Sequence, residues 1–320
     1  MTKMNIQKIA DMTGVSKTTV SRVINQEKYV SSEIREKVLR VIEETGYVPN
    51  GNAINLSKGK SNTIGVTLPY NNLCYQSLIN SILDQANLNG QKVLLLPTYH
   101  EEKIEFDYFS LLEQKTIDSL ILTTRTSNIE AWEALNMKGK IISTEKLISD
   151  KIPMIYSDRQ RCYELLFAEL KNAHDTDIVF TVQRGVARSQ STFDKVKAFE
   201  MYFGKAIEGR DYYTNISGYE IGKEWVLKTF SNKKIPEVFY INGDDTAAGV
   251  LKGLEHLGYQ HNHDFLLIGE GNTTFSEVLD FSTIDFTPQK IGEEVVNFVC
   301  GKMAESNKKY EPKIIWRLNE

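Results

Sequence analysis

Over the first forty-five residues, apolar positions recur at three- and four-residue spacing; beyond Thr63 they gather into short continuous runs. The first pattern predicts three short helices. Ile6, Ile9 and Ala10 form one stripe. Thr13-Gly14-Val15-Ser16 reads as a turn, with a glycine free to take positive φ and a serine placed to cap the helix that follows. That second helix is expected over about 17–25, with Val20, Val23 and Ile24 on its apolar face. A third starts after Ser31 and carries Ile34, Val38, Leu39, Val41 and Ile42. It stops near Thr45-Gly46, and Pro49 blocks continuation.

The segment 50–61 is small, polar and basic, and reads as a linker between a head (1–49) and a body (62–320). In the body, strands are predicted at 63–68, 92–96, 118–123, 139–143, 177–182, 237–241 and 265–268. Helical stretches fall between them at 76–89, 103–114, 160–171, 192–203, 219–230 and 246–257. Strand–helix alternation calls for parallel sheets of the doubly wound kind. The strands are too many for one small sheet, so two α/β lobes are expected. The chain would cross between them near 155–160 and return near 286–290.

Charge sharpens this division. The whole chain carries a net charge of -4, yet residues 1–60 hold ten Lys/Arg against six Asp/Glu. A basic head on an acidic body fits a DNA-facing segment. Cys74, Cys162 and Cys300 are scattered, which argues against a disulfide framework and fits a reducing compartment. No apolar run approaches the roughly 18 residues of a membrane span. The first residues lack the apolar core of a signal peptide, so a cytoplasmic location is expected.

Two helices joined by a Gly-containing turn form a helix-turn-helix, whose second helix enters the major groove. Lys17, Thr18, Ser21 and Arg22 share the face opposite Val20 and Val23. Arg22 has the fork geometry to bond a guanine, and Lys17 and Thr18 the reach for bases or phosphates. An ordinary solvated helix start is the alternative on this segment alone. The wider pattern adds more: Ile9-Ala10, Gly14-Val15-Ser16, Thr19 through Val23, Asn25, Val30-Ser31, Arg35 through Val38, Gly46-Tyr47 and Pro49-Asn50. In order and spacing this closely resembles the start of the LacI/GalR family of regulators.

The resemblance implies roles. The second helix would read an operator, with Ile6, Ser16, Asn25, Tyr29, Ser31, Asn50 and Asn55 near the backbone or operator edge. Residues 50–58 match a hinge helix, in which Ala53 fits a close contact with a dimer mate and Leu56 holds the position of a minor-groove wedge. The body is similar to periplasmic sugar-binding proteins, with an effector between the lobes. It follows the family more loosely. Asn72 and Tyr75 retain an amide and an aromatic of a Pro-Asp…Asn-Pro-Phe-Phe loop. Lys195 stands in place of an effector-binding arginine, and Asp244 opens a DDTAAG turn. Gly269 through Asn272 matches a Gly-aromatic-Asp-Asp stretch, so Asn272 replaces an aspartate. Asp158 lies near the first crossing. Lysine for arginine removes bidentate geometry. For Lys195 and Asn272, ligand contact and a surface role both stand.

Other chemistry falls away. Gly59-Lys60-Ser61 ends like a P-loop but lacks its first glycine and precedes a strand. His256, His261 and His263 have no companion Cys or spaced carboxylates, so no metal or cofactor is implied. No nucleophile elbow occurs, which leaves a solute-binding protein or sugar-transforming enzyme without support. The expectation is a homodimeric regulator, a repressor, that binds a pseudo-palindromic double-stranded operator and answers to a small effector, a sugar or sugar derivative. A protein co-regulator in place of the sugar stays open, as does the choice between induction and corepression. No heptad-bearing tail follows Arg317, so tetramers are not expected.

Overall fold

A computed structural model describes residues 4–49, 59–70, 73–124, 129–135, 141–173, 177–304 and 307–318. The head comprises α1 (Ile6–Thr13), α2 (Lys17–Ile24) and α3 (Ser32–Thr45). Local signals set its boundaries. Gly14 ends α1 at φ 68° and Gly46 ends α3 at φ 60°, the left-handed conformation that glycine takes without steric cost. Ser16 and Ser31 cap α2 and α3. Ile9, Ala10, Val20, Val23 and Val38 form a small shared core. Leu39 of α3 is 48% exposed.

The body contains two sheets. The first has strand order β11 (Asn307–Tyr310), β5 (Met154–Ser157), β4 (Ile141–Ser143), β3 (Ser119–Leu122), β1 (Thr63–Leu68), β2 (Lys92–Pro97), and the second β12 (Lys313–Ile315), β10 (Ser282–Asp285), β9 (Leu266–Glu270), β8 (Val238–Tyr240), β6 (Ile178–Thr181), β7 (Tyr212–Tyr213). In the first sheet, β1 (Thr63–Leu68) pairs parallel with β3 (Ser119–Leu122), and β3 with β4 (Ile141–Ser143). The parallel ladder continues through β5 (Met154–Ser157) to β11 (Asn307–Tyr310). The second sheet contains β6 (Ile178–Thr181), β7 (Tyr212–Tyr213), β8 (Val238–Tyr240), β9 (Leu266–Glu270) and β10 (Ser282–Asp285) in parallel. The antiparallel β12 (Lys313–Ile315) closes one edge. Central strands such as β3 and β6 are buried on both faces, which is why they read as continuous apolar runs.

Helices cover these sheets. α4 (Gln76–Leu88) and α12 (Pro288–Val299) pack together on the first sheet. Ile82, Ala86, Ile291 and Val295 share a core there with Ile64, Val66 and Ile121. α5 (Glu102–Glu113) follows β2 (Lys92–Pro97), and α6 (Ile129–Leu135) follows β3. The second sheet is covered on one face by α7 (Arg159–Ala173) and α8 (Gln190–Phe203), around Phe167, Phe180 and Phe199. Its other face holds α9 (Tyr219–Phe230) and α10 (Asp244–His256), around Trp225, Phe239 and Leu254. The short α11 (Thr274–Val278) precedes β10.

The chain leaves the first sheet between β5 and α7 and returns between β10 and α12. It crosses once more between β11 and β12, a passage the sequence pattern did not suggest. Three connections therefore run between the lobes.

Candidate functional site

In the head, the Thr19 amide donates to Ser16 Oγ at 3.0 Å, which fixes the start of α2. With Val20 and Val23 buried, the opposite face of α2 offers Lys17, Thr18 and Arg22 to solvent, beside the half-buried Ser21. Arg22 makes only a loose ion pair with Glu27 at 3.6 Å, with both side chains about half exposed, so little energy holds it back from another acceptor. Asn25 caps the end of α2 and donates to Ser21 Oγ at 3.4 Å. Tyr29 is 92% exposed, unusual for a tyrosine and fitting for a surface contact. Ser31 accepts from the Ile34 amide. Ile6 is half-buried against the head core, so only part of it is available to a partner. Asn50, Ala53, Asn55 and Leu56 lie outside the described residues, as does Asn72 in the body.

Between the two lobes lies a cavity of about 200 Å³, room for far more than one water. It sits at the carboxyl ends of the parallel strands, where open α/β sheets bind ligands. The first lobe contributes Tyr75, Thr123, Thr144 and Glu145; the second contributes Gln183, Arg184, Asn242 and Asp245. Arg159, at the start of α7, and Phe286, just after β10, stand at the crossings.

Part of the cleft's charge is paired internally. Lys195 Nζ donates to Glu270 Oε1 at 2.7 Å, and the Tyr240 hydroxyl donates to the same oxygen. The ammonium also lies 4.2 Å from the Tyr240 ring centroid and 5.2 Å from that of Tyr163. Lys195 is 2% exposed, and burial lowers its titration even against the pull of Glu270. Burial likewise raises the hydroxyls of Tyr75 and Tyr240 well above their ordinary range.

Of the sequence candidates in the body, Tyr75 and Lys195 line this cavity. Asp158 and Asn272 are not among its lining residues. The Asp158 carboxylate pairs with Lys309 at 2.9 Å and accepts from the Arg161 amide. Asn272, held at φ 47°, donates to Asp285 at 3.2 Å and is exposed. Asp244 lines a smaller pocket beside Phe275, and its carboxylate is already committed: it accepts from Thr283 Oγ1, the Thr273 amide and Thr273 Oγ1 at 2.6–3.0 Å. Asp244 therefore holds the turn after β9 in place. In each case the neighbour faces the cleft instead: Arg159 for Asp158, Asp245 for Asp244, and Gly271 with Glu270 for Asn272. Arg184 was missed altogether, although a basic residue just past a predicted strand in an α/β chain is a signal for a cleft position.

Residues 5–50 match the family described as bacterial regulatory proteins, lacI family, and residues 61–299 match the periplasmic binding proteins and sugar binding domain of LacI family. The chain belongs to the LacI family. It is a DNA-binding transcriptional regulator with the family's sugar-binding type of body, and the family is regulatory, not enzymatic. Catabolite control protein B of Bacillus subtilis (strain 168) is 36% identical over 90% of this chain and 91% of its own. The sucrose operon repressor of Streptococcus mutans serotype c is 26% identical over 84% of this chain and 82% of its own. Among solved structures, a LacI-family regulator from Silicibacter pomeroyi superposes with a TM-score of 0.82 at 19% identity, covering 98% of both chains. The lac repressor dimer bound to operator and the anti-inducer ONPF superposes at 0.77 with 20% identity, also over 98% of both. At these identities the structural likeness establishes the fold. Among the described residues, no helix is long and apolar enough to cross a membrane.

Proposed function

We propose that the chain works as a homodimeric repressor whose two heads read a pseudo-palindromic operator, under the control of a small hydroxylated effector in the interlobe cleft. The observation that carries this reading is the face of α2. Lys17, Thr18, Ser21 and Arg22 stand together on the side opposite the head core, a set able to bond base edges and phosphates in a major groove. Tyr29 would extend the contact, and residues 50–58, with Ala53 and Leu56, would supply the hinge and its wedge.

Dimerisation is supported by apolar surface on the first lobe. Leu83 and Leu88 of α4 and Leu94 and Leu95 of the edge strand β2 are between 38% and 75% exposed. An open edge bearing leucines is a liability that a second copy removes. Relatives named as sucrose and ribose operon repressors, and the lac repressor dimer on its operator, support both the repressor role and the dimer. A structural neighbour with bound sucrose supports the cleft as the effector site. Closure of the lobes regulates DNA binding only to the extent that the effector prefers one of the two states.

Anisotropy titration of a labelled duplex, chosen by selection with the full chain, tests this. Two chains per duplex are expected, with an affinity that a cell metabolite extract changes by about 5- to 150-fold. One chain per duplex, or no response to the extract, contradicts the reading.

A further inference from the structure

Among the described residues three cations line the cleft, and they are not equivalent. Lys195 has a carboxylate at 2.7 Å. Among the described residues Arg159 and Arg184 have none within ion-pair distance; Glu270 and Glu145 act on Arg159 only from farther off. The Arg159 guanidinium lies over the Phe286 ring, 4.0 Å from its centroid. Arg184 Nη1 lies 3.3 Å from His100 Nδ1, which accepts from it. Burial, reinforced by Arg184 itself, pushes the His100 titration down to about 4, so this partner is an uncharged imidazole at neutral pH.

The two arginines converge. One opens α7 and the other follows β6, yet both line the same cleft as Tyr75. Ser189 and Ser191, at the start of α8, line the same wall. Neither guanidinium touches a carboxylate among the described residues, and a bound anion would give each a direct charge-assisted partner. Phe286 also departs from what a neutral sugar needs, since the ring face that would stack on a pyranose is covered by Arg159. Glu145, Asp245 and Glu270 line the cleft as well. Carboxylates suit sugar hydroxyls, which donate to them.

We propose that the effector of this regulator carries an anionic group, phosphate or carboxylate, clasped by Arg159 and Arg184, with a hydroxylated remainder turned toward the cleft carboxylates. A phosphorylated or acidic sugar fits this description. The proposal rests on the reading of the cleft as the effector site.

Two measurements on the full chain test it. In the first, melting temperature is followed in rising inorganic phosphate, or acetate, against chloride at matched ionic strength. A saturable rise in phosphate alone assigns a phosphoryl group, and one in acetate a carboxylate. Arg184→Gln should weaken the response at least tenfold, whereas Arg188→Gln, exposed and outside the lining, should leave it unchanged. No saturable rise in either anion overturns the proposal.

In the second, a metabolite extract is split on an anion exchanger, and each part is assayed for its effect on DNA affinity. Activity in the retained fraction, lost in Arg184→Gln, is expected. Activity in the flow-through overturns the anionic group and leaves the cleft reading standing. Retained activity that survives in both Arg184→Gln and Arg159→Gln overturns the cleft reading and the proposal together.

Discussion

Lys195 donates to Glu270 at 2.7 Å with both side chains withdrawn from solvent, so the cation that the sequence offers as an effector contact is already neutralised within the protein. A buried pair of this kind is costly to break from one side, because the remaining charge has no water and no partner. Lys195→Met is expected to lower unfolding free energy by about 3–5 kcal/mol. The double variant Lys195→Met with Glu270→Gln should recover most of that loss. Urea denaturation of the single and double variants measures both, and a double variant no more stable than the single one refutes the coupling.

His100 gives a pH dependence with a definite sign. Its titration is depressed from the ordinary 6.5 to about 4, chiefly by burial and then by Arg184. Between those values the unfolded chain takes up a proton that the folded chain refuses, so His100 removes stability as pH falls through this window. The ring is enclosed by Arg184 and by Tyr70, which meets it edge-on at 5.8 Å. His100→Gln should therefore flatten the fall in melting temperature between pH 6.5 and 4 relative to the parent chain. Parallel curves for the two proteins would exclude this role.

Helices α9 and α10 approach so closely that a side chain at Gly249 would overlap the Tyr219 carbonyl. Gly249→Ala should cost about 1–3 kcal/mol by forcing the helices apart. Gly185→Ala, where nothing lies within 4 Å, should be near neutral. Thermal unfolding of the two variants separates them, and equal effects would count against close packing as the reason for glycine at 249.

How much of this was readable in the chain depends on the range of the signal. The head was legible because its determinants are local: Gly14, Ser16, Ser31 and Gly46 each act within a few residues. The central strands were legible because burial on both faces makes them apolar throughout. β11 was not, since Asn307-Lys308-Lys309-Tyr310 is polar and partly exposed at a sheet edge. α12 went unassigned although Pro288 at its first turn and Ile291, Val295 and Val296 on one face spell a helix.

In the cleft, Asp158, Asp244 and Asn272 each stand beside a lining residue instead of lining it themselves. Whether Asp158 or Arg159 faces the ligand depends on how β5 hands over to α7, and Asn272 is turned outward by its own positive φ. The partner of Lys195 is 75 residues away, and no local pattern records it.

On DNA, Arg22 is the side chain whose fork geometry can specify a base, and its pairing with Glu27 is loose. Arg22→Ala should weaken specific binding by the equivalent of about 1–3 kcal/mol and relax sequence preference at one position of each half-site. Non-specific binding at the same salt should change much less. Competition titrations against random duplex measure both, and a uniform loss would reassign Arg22 to phosphate contact.

The central claim, a paired head that reads a symmetric site under ligand control, is tested most directly by selecting duplexes from a random library with the full-length chain, in parallel with and without a metabolite extract. Enrichment of an inverted repeat in one arm and markedly weaker enrichment in the other are expected. No enriched sequence in either arm, or a single unpaired half-site enriched equally in both, would contradict it.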